Sequence, residues 1–231
     1  MINIISTFYI SKYGSHLDNE RTNELCNALL NNINSPYIEK IHLFLDDEEA
    51  LEKLRSITNS NKIEIISVGK KPKYKDIFEY IIYNVQNKIC MITNADIYLA
   101  ECDQELIQRL HNTKTGYAIT RHEWDMSHHL IDNYGGSHDC YIFHSNFITK
   151  NIVDSPHTIY DQNIPGIETH IISSLLDEGL TMYNPCHQIK IVHLHRCGLR
   201  QYASNWIALH RLDDGDAELR ASRWYIKPRY L

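Results

Sequence analysis

Two short patterns carry residue types that could hold a cation. Asn94-Ala95-Asp96 closes the apolar run Ile89-Cys90-Met91-Ile92. A carboxylate at the end of a core strand needs a partner, because burial without one costs several kcal/mol or shifts its pKa. In an extended segment, positions i and i+2 project to one side. Asn94 and Asp96 would then share a hard divalent ion whose shell is completed by water and phosphate oxygens, with Asp96 the principal ligand. The same spacing also suits a turn in which Asn94 caps a following helix. His193-Leu194-His195 has the same i, i+2 geometry, and neutral imidazole suits Mn²⁺ or Zn²⁺. In a chain with 14 histidines the pair reads equally as hydrogen-bonded core residues, unless it meets Asp96 in space.

Three further stretches bring chemistry of a second kind. Asp139 follows Gly135-Gly136-Ser137-His138 and opens an apolar run, and Glu168 follows the tight turn Ile164-Pro165-Gly166-Ile167. Either carboxylate could act as a general base or orient a sugar hydroxyl. Either could instead be a strand-entry residue or a charge favoured at a helix N-terminus. Gly69-Lys70-Lys71-Pro72-Lys73-Tyr74-Lys75-Asp76 places four lysines where a helix opens. That suits an anionic group such as a diphosphate, or a solvated basic loop. No glycine-rich nucleotide fingerprint occurs, which disfavours a P-loop or an ordinary dinucleotide site.

The elements that must position these residues follow from periodicity. Residues 2–9, 38–45, 62–68 and 88–93 read as short apolar strands, and 20–32, 48–57 and 74–84 carry helical spacing. Later strands are expected over 117–120, 140–143 and 187–194, and a helix over 168–178 that stops at Gly179. Strands alternating with helices predict a parallel sheet covered on both faces. Ligands of such sheets bind beyond the carboxyl ends of the strands, where Asp46, Asp47, Asn94 and Asp96 fall. The segment from Arg200 to Leu231, rich in Arg, Trp and Tyr, reads as a wrapping tail.

Composition narrows the class. With 231 residues, 43% hydrophobic and 23% charged, the chain can bury a sizeable core and is neither disordered nor fibrous. A formal charge of −6 argues against nonspecific nucleic-acid binding. The six cysteines contain no CxxC pair, so neither a zinc site nor a disulfide framework is suggested. The N-terminus lacks a basic leader, and no run of about 18 apolar residues exists to span a membrane. A cytoplasmic protein is the expectation.

The segments "STFYIS", "YIEKIHLFLDD", "KPKYKDIFEY", "CMITNADIYL", "YAITRHEW", "GGSHDCYIF", "IPGIETHI" and "YNPCHQIKIVHLH", in that order, resemble a family of nucleotide-sugar glycosyltransferase-like proteins of large DNA viruses and bacteria. The resemblance runs from about residue 2 to about residue 202. It implies an α/β fold of GT-A type, a Rossmann-like single domain over 1–231 with a central, mainly parallel sheet covered by helices. Residues 2–100 would bind the nucleotide, and 101–231 would shape the acceptor side and close the metal site.

The implied activity moves a hexosyl or deoxyhexosyl group from a nucleoside diphosphate sugar to a hydroxyl acceptor, a glycan or glycoconjugate, with Mn²⁺ or Mg²⁺ as cofactor. The family's DxD-like motif falls on Asn94 and Asp96, with Asp96 as metal ligand and His195, then His193, as the late-strand ligand. Asp139 inherits an acidic role beside the sugar. Glu168 stands where the family usually has Asp, followed by Thr169 instead of Asn, and is the second catalytic candidate. Donor contacts would come from Thr7, Asp46, Lys73, Tyr74, Asp76, Asn94 and Arg121, although Arg121 reads equally as a structural ion pair. Two other readings use the same residues: a metal-dependent phosphoester or nucleotide hydrolase, and a non-catalytic nucleotide-sugar binding module.

Overall fold

The structure, a computed structural model, describes residues 1–124, 138–162, 166–199 and 231. In chain order the elements are β1 (Ile2–Thr7), α1 (Asp18–Asn34), β2 (Ile38–Leu45), α2 (Glu48–Ile57), β3 (Ile63–Ser67), α3 (Tyr74–Asn84), β4 (Ile89–Thr93), β5 (Ile97–Cys102) and α4 (Gln104–Arg109). There follow β6 (Thr115–Thr120), β7 (His122–Glu123), β8 (His138–His144), α5 (Lys150–Val153), α6 (Ile167–Asp177), β9 (Thr181–Tyr183) and β10 (Ile189–His193), with a 3₁₀ turn at Ser145–Phe147.

Among the described residues the main sheet has seven strands in the order β3-β2-β1-β4-β8-β6-β9. Strands β3, β2, β1 and β4 run parallel, as do β6 and β9. The four strands expected to pair in parallel do so, and β8, antiparallel to both β4 and β6, makes the sheet mainly, not wholly, parallel. Side-chain alternation builds a core on each face. Ile2 and Ile4 of β1, Met91 of β4 and Ile142 of β8 pack against Leu25 and Leu29 of α1. Ile5, Ile92, Tyr141 and Phe143 point the other way, toward Phe78 and Ile81 of α3 and Ile171 of α6. β3 departs from the expectation that both faces are covered: as the edge strand it leaves Ile65 41% exposed.

Several caps explain the boundaries. Asp47 accepts from Ala50 N at 2.6 Å and starts α2, and Asp103 accepts from Glu105 N and Leu106 N to start α4. Asp76 accepts from Lys73 N at 2.9 Å at the start of α3. Gly166 has φ +87° just ahead of α6, a left-handed conformation that glycine adopts without strain. Gly116 serves a different end. A Cβ there would lie 2.6 Å from Met182 Sδ, so glycine lets β9 close onto β6 without displacing the Met182 side chain.

A second sheet of three strands, β5-β10-β7, stands beside the first. β10 is antiparallel to β5 and parallel to β7, with His193 opposite Ile97 on one side and Glu123 on the other. Because β5 follows β4 directly, no helix starts at Asn94, and the helix-cap reading of that residue is overturned. From β1 the chain winds outward to β2 and β3, then crosses back to β4 on the other side of β1. The strand order therefore reverses between β1 and β4, where sheets of this kind leave a crevice at the strand ends. Among the described residues no helix is long and apolar enough to cross a membrane. Of the expected wrapping tail only Arg200–Leu231's last residue is described: Leu231 donates its N–H to Gln188 Oε1 at 2.7 Å. The rest of that tail, Gly135-Gly136-Ser137 and Ile164-Pro165 lie outside the described residues.

Candidate metal and acid–base site

Asp96 leaves the crevice at the end of β4, and β10 brings two histidines to it. Leu194 N donates to Asp96 O at 2.8 Å, which holds the end of β10 against the Asn94–Asp96 turn. His193 Nε2 is then 3.1 Å from Asp96 Oδ2, and His195 Nδ1 is 3.8 Å from it. One ligating atom from each of the three side chains falls within 4.8 Å of the others. Ligands about 2.1 Å from an ion lie roughly 3.0–3.5 Å apart, so His193 and Asp96 already stand at such a spacing and His195 would draw closer to share a divalent cation. His195 Nε2 is buried without a hydrogen-bond partner among the described residues, while its Nδ1 faces Asp96. The three residues thus fit Mn²⁺ or Mg²⁺ as a partial shell, with the imidazoles favouring Mn²⁺.

A residue invisible to motif reading completes this cluster. Arg21 of α1, 4% exposed, donates to Asp96 Oδ2, to Glu24 Oε2 at 3.0 Å and to Leu194 O at 3.0 Å. Glu24 in turn accepts from the N–H groups of Arg196 and Cys197. One turn of α1 therefore clamps both the Asp96 carboxylate and the segment carrying His195. Burial pushes the Asp96 carboxyl up, but His193, His195 and Arg21 together hold it well below the usual carboxylate range. Burial lowers the His193 pKa, and the carboxylates of Asp96 and Glu123 more than offset it, raising it to about 9.

Glu123 is the second residue that sequence reasoning missed. Its Oε2 lies 3.5 Å from His193 Nδ1, an ion pair on the ring face away from Asp96. Its Oε1 accepts from Arg121 Nε at 3.1 Å. The bond with His193, against the opposing effect of burial and with help from Arg121, lowers the Glu123 pKa to about 2. A carboxylate behind a histidine fixes the ring and its tautomer, an arrangement common around metal-binding imidazoles.

Arg121 joins this cluster to the acid–base residues. Its Nη1 reaches Asp139 Oδ2 at 3.1 Å and Oδ1 at 3.3 Å, and Asn94 Nδ2 donates to Asp139 Oδ1 at 3.2 Å. The Asn94 and Asp96 side chains therefore part company: Asp96 joins the histidines, while Asn94 donates to Asp139. Asp139 is pinned from two sides by charge-assisted bonds. Glu168 lies at the first turn of α6. Burial, followed by repulsion from Asp139, raises its pKa to about 7.

The remaining donor-binding candidates divide by role in the fold. Thr7 at the end of β1 lines a small cavity with Asn94 and Ala95. Asp46 stands half-buried at the end of β2, while its neighbour Asp47 is committed to capping α2 and to Lys12 at 3.2 Å. Tyr74, the first residue of α3, is 3% exposed within the core. Burial, with the nearby Glu168 and Asp139, pushes its phenol well up. Asp76 is a helix cap, and the backbone of Lys73 forms an isolated antiparallel β-bridge with that of Asp161.

No protein-family model matches the chain, and neither does any curated protein. Solved structures do. S. aureus TarS in complex with UDP-GlcNAc aligns with a TM-score of 0.57 at 9% identity, covering 95% of this chain and 69% of that one. A putative glucose-1-phosphate thymidylyltransferase from Bacillus anthracis, in complex with a sucrose, aligns with a TM-score of 0.57 at 10% identity, covering 96% of this chain and 99% of that one. The chain has a Rossmann-like GT-A fold.

Proposed function

We propose that the chain is a divalent-cation-dependent glycosyltransferase that moves a hexosyl or deoxyhexosyl group from a nucleoside diphosphate sugar to a hydroxyl of a glycan or glycoconjugate. The observation that carries this reading is the convergence of Asp96, His193 and His195 at the strand ends, joined through Glu123 and Arg121 to a second carboxylate cluster. A diphosphate leaving group accumulates negative charge, which Mn²⁺ or Mg²⁺ supplies the means to stabilise. Thr7, Asp46 and Asn94 would meet the nucleotide at the ends of β1, β2 and β4, with Lys73 toward the phosphates. The nucleotide half is then 2–100, and 101–231 forms the acceptor half of one domain.

In this reading Glu168 is the base. A carboxyl with a pKa of about 7 holds enough of its basic form at neutral pH to take a proton from the acceptor hydroxyl. The acceptor oxygen bonds to the anomeric carbon as the bond from that carbon to the diphosphate oxygen breaks, and the proton passes to Glu168. Asp139, held by Arg121 and Asn94, would turn its carboxylate to the positive character that develops at the anomeric carbon. All six cysteines are free, which fits a reducing, cytoplasmic setting.

A second reading, nucleotidyl transfer, draws on the thymidylyltransferase with the same TM-score. Products separate the two: a nucleoside diphosphate in one case, inorganic pyrophosphate in the other, and a free sugar or phosphate without acceptor if the chain is a hydrolase. The primary experiment is a thermal-shift panel of UDP-, GDP-, CMP- and dTDP-sugars, each with and without Mn²⁺. A ligand at 100 times its Kd adds about 2.7 kcal/mol of stability. If no nucleotide sugar stabilises the protein in either condition, the transferase reading fails.

A further inference from the structure

At the mouth of the site, one residue beyond Glu123, stands an aromatic ring that the chemistry above does not use. Trp124 is 36% exposed, and the guanidinium of Arg196 lies over its ring, 4.2 Å from the centroid. Both belong to the site's framework. Glu123 pairs in register with His193 across β7 and β10, so Trp124 continues directly past that pair, and Arg196 is the residue after His195. Arg196 is anchored through its backbone. The backbone N–H of Arg196 is bound to Glu24 Oε1, and so is that of Cys197, at 2.8 Å. The backbone that carries the cation is thereby tied to α1.

We propose that Trp124 and Arg196 form a platform for the sugar ring of the acceptor; the proposal rests on the transferase reading and names how its second substrate is held. A pyranose has an apolar face of C–H groups edged by hydroxyls. An indole offers a flat apolar surface of matching size. A guanidinium at its rim donates to hydroxyl oxygens, and its contact with the ring fixes the indole in place before the sugar arrives. A nucleobase could also stack on an indole, but the strand order argues against it here. In the small sheet β7 is the edge strand farthest from β5, and β5 is the strand that leads out of the β1–β4 crevice. Trp124 therefore lies across the two histidines from the strand ends assigned to the nucleotide.

The test uses the full chain and defined probes: methyl α- and β-D-glucopyranoside, galactopyranoside and mannopyranoside, observed by saturation-transfer NMR in the presence of Mn²⁺ and UDP. At least one glycoside should receive saturation at its ring C–H protons. Trp124→Ala should reduce that signal by about fivefold or more, the range expected for one lost stacking contact, and Trp124→Phe should retain most of it. Arg196→Gln, which frees the ring, should give an intermediate loss and keeps the test readable if the alanine variant does not fold. The melting shift produced by UDP with Mn²⁺ should be the same in all four proteins. An undiminished glycoside signal in Trp124→Ala overturns the platform, as does the absence of a signal from every glycoside. Loss of the UDP shift in that variant overturns it too, because the ring would then hold the base. A glycoside signal that depends on Trp124, in a parent protein that no nucleotide sugar of the panel stabilises, supports the platform and overturns the transferase reading alone.

Discussion

Asp96 shows how a single partner changes the sign of an expectation. A carboxylate kept only as a ligand would burden the metal-free protein, and its removal would cost nothing. Arg21 alters that, because the guanidinium is buried and shares its charge between Asp96 and Glu24. Removing one member of a buried ion pair leaves the other uncompensated. Asp96→Asn should therefore lower stability by about 1–3 kcal/mol, less than for an isolated pair because Glu24 remains. Isothermal titration should show Mn²⁺ binding lost in the same variant. Unchanged Mn²⁺ affinity would mean that Asp96 serves only Arg21.

Glu168 makes a prediction in pH. Its folded pKa, about 7, lies above the ordinary carboxyl value of 4.5. The folded state binds the proton more tightly than the unfolded chain does, so the associated stability is complete below about pH 4.5 and is lost as pH rises through about 7. Glu168→Gln, which cannot ionise, should melt like the parent near pH 4.5 and higher than the parent at pH 8, by about 1–3 kcal/mol. Turnover has the opposite dependence if Glu168 is the base. It should rise through about pH 7 in the parent and fall by about 10²-fold in the variant. A variant that melts like the parent at every pH would show that Glu168 ionises normally.

At the scale of elements, the short strands β7 and β10 do more than their length suggests. Their pairing sets Glu123 behind His193. Glu123→Gln retains the shape but removes the charge, and should weaken Mn²⁺ binding by about 10–100-fold, read by titration against an unchanged circular dichroism spectrum. The junction of β6 and β9 depends instead on absence of a side chain. Gly116→Val should cost about 1–3 kcal/mol by overpacking against Met182 and Leu180, seen as a lower urea midpoint. An equal midpoint would mean that the Met182 side chain swings clear.

These elements also mark where sequence reasoning reached and where it stopped. The bounds of α2 and α3 coincide with the helical spacing, because Asp47 and Asp76 cap them locally. Asp96, His193 and His195 were visible as ligating types at i, i+2 spacing. Their meeting was not, since His193 and Asp96 are 97 residues apart. Arg21 and Glu24 read only as an i, i+3 pair on an amphipathic helix, with nothing local to reveal a partner 75 residues on. β7 and β9, at two and three residues, are too short to show alternation. The antiparallel entry of β8 was hidden for another reason: an apolar run buried on both faces carries no mark of its direction.

For the whole molecule, the burial of Cys26, Cys90, Cys102, Cys140 and Cys186 places thiols among apolar side chains, where burial raises their pKa and keeps them inert. Excess reductant should leave the melting temperature unchanged, and a drop would point to a bridge formed in solution.

The clamp made by Arg21 and Glu24 imposes an order in time. As the chain emerges from a ribosome, α1 comes first and Asp96 after it, and these two can already pair. The histidines arrive about a hundred residues later, at roughly 5–20 residues per second. Until then Arg21 is the one member of this cluster that Asp96 can meet, and the group of Asp96, His193 and His195 is incomplete. A release series of stalled chains should take up Mn²⁺ only once His195 has cleared the exit tunnel, so that a free metal ion never competes with the first half of the sheet while it assembles.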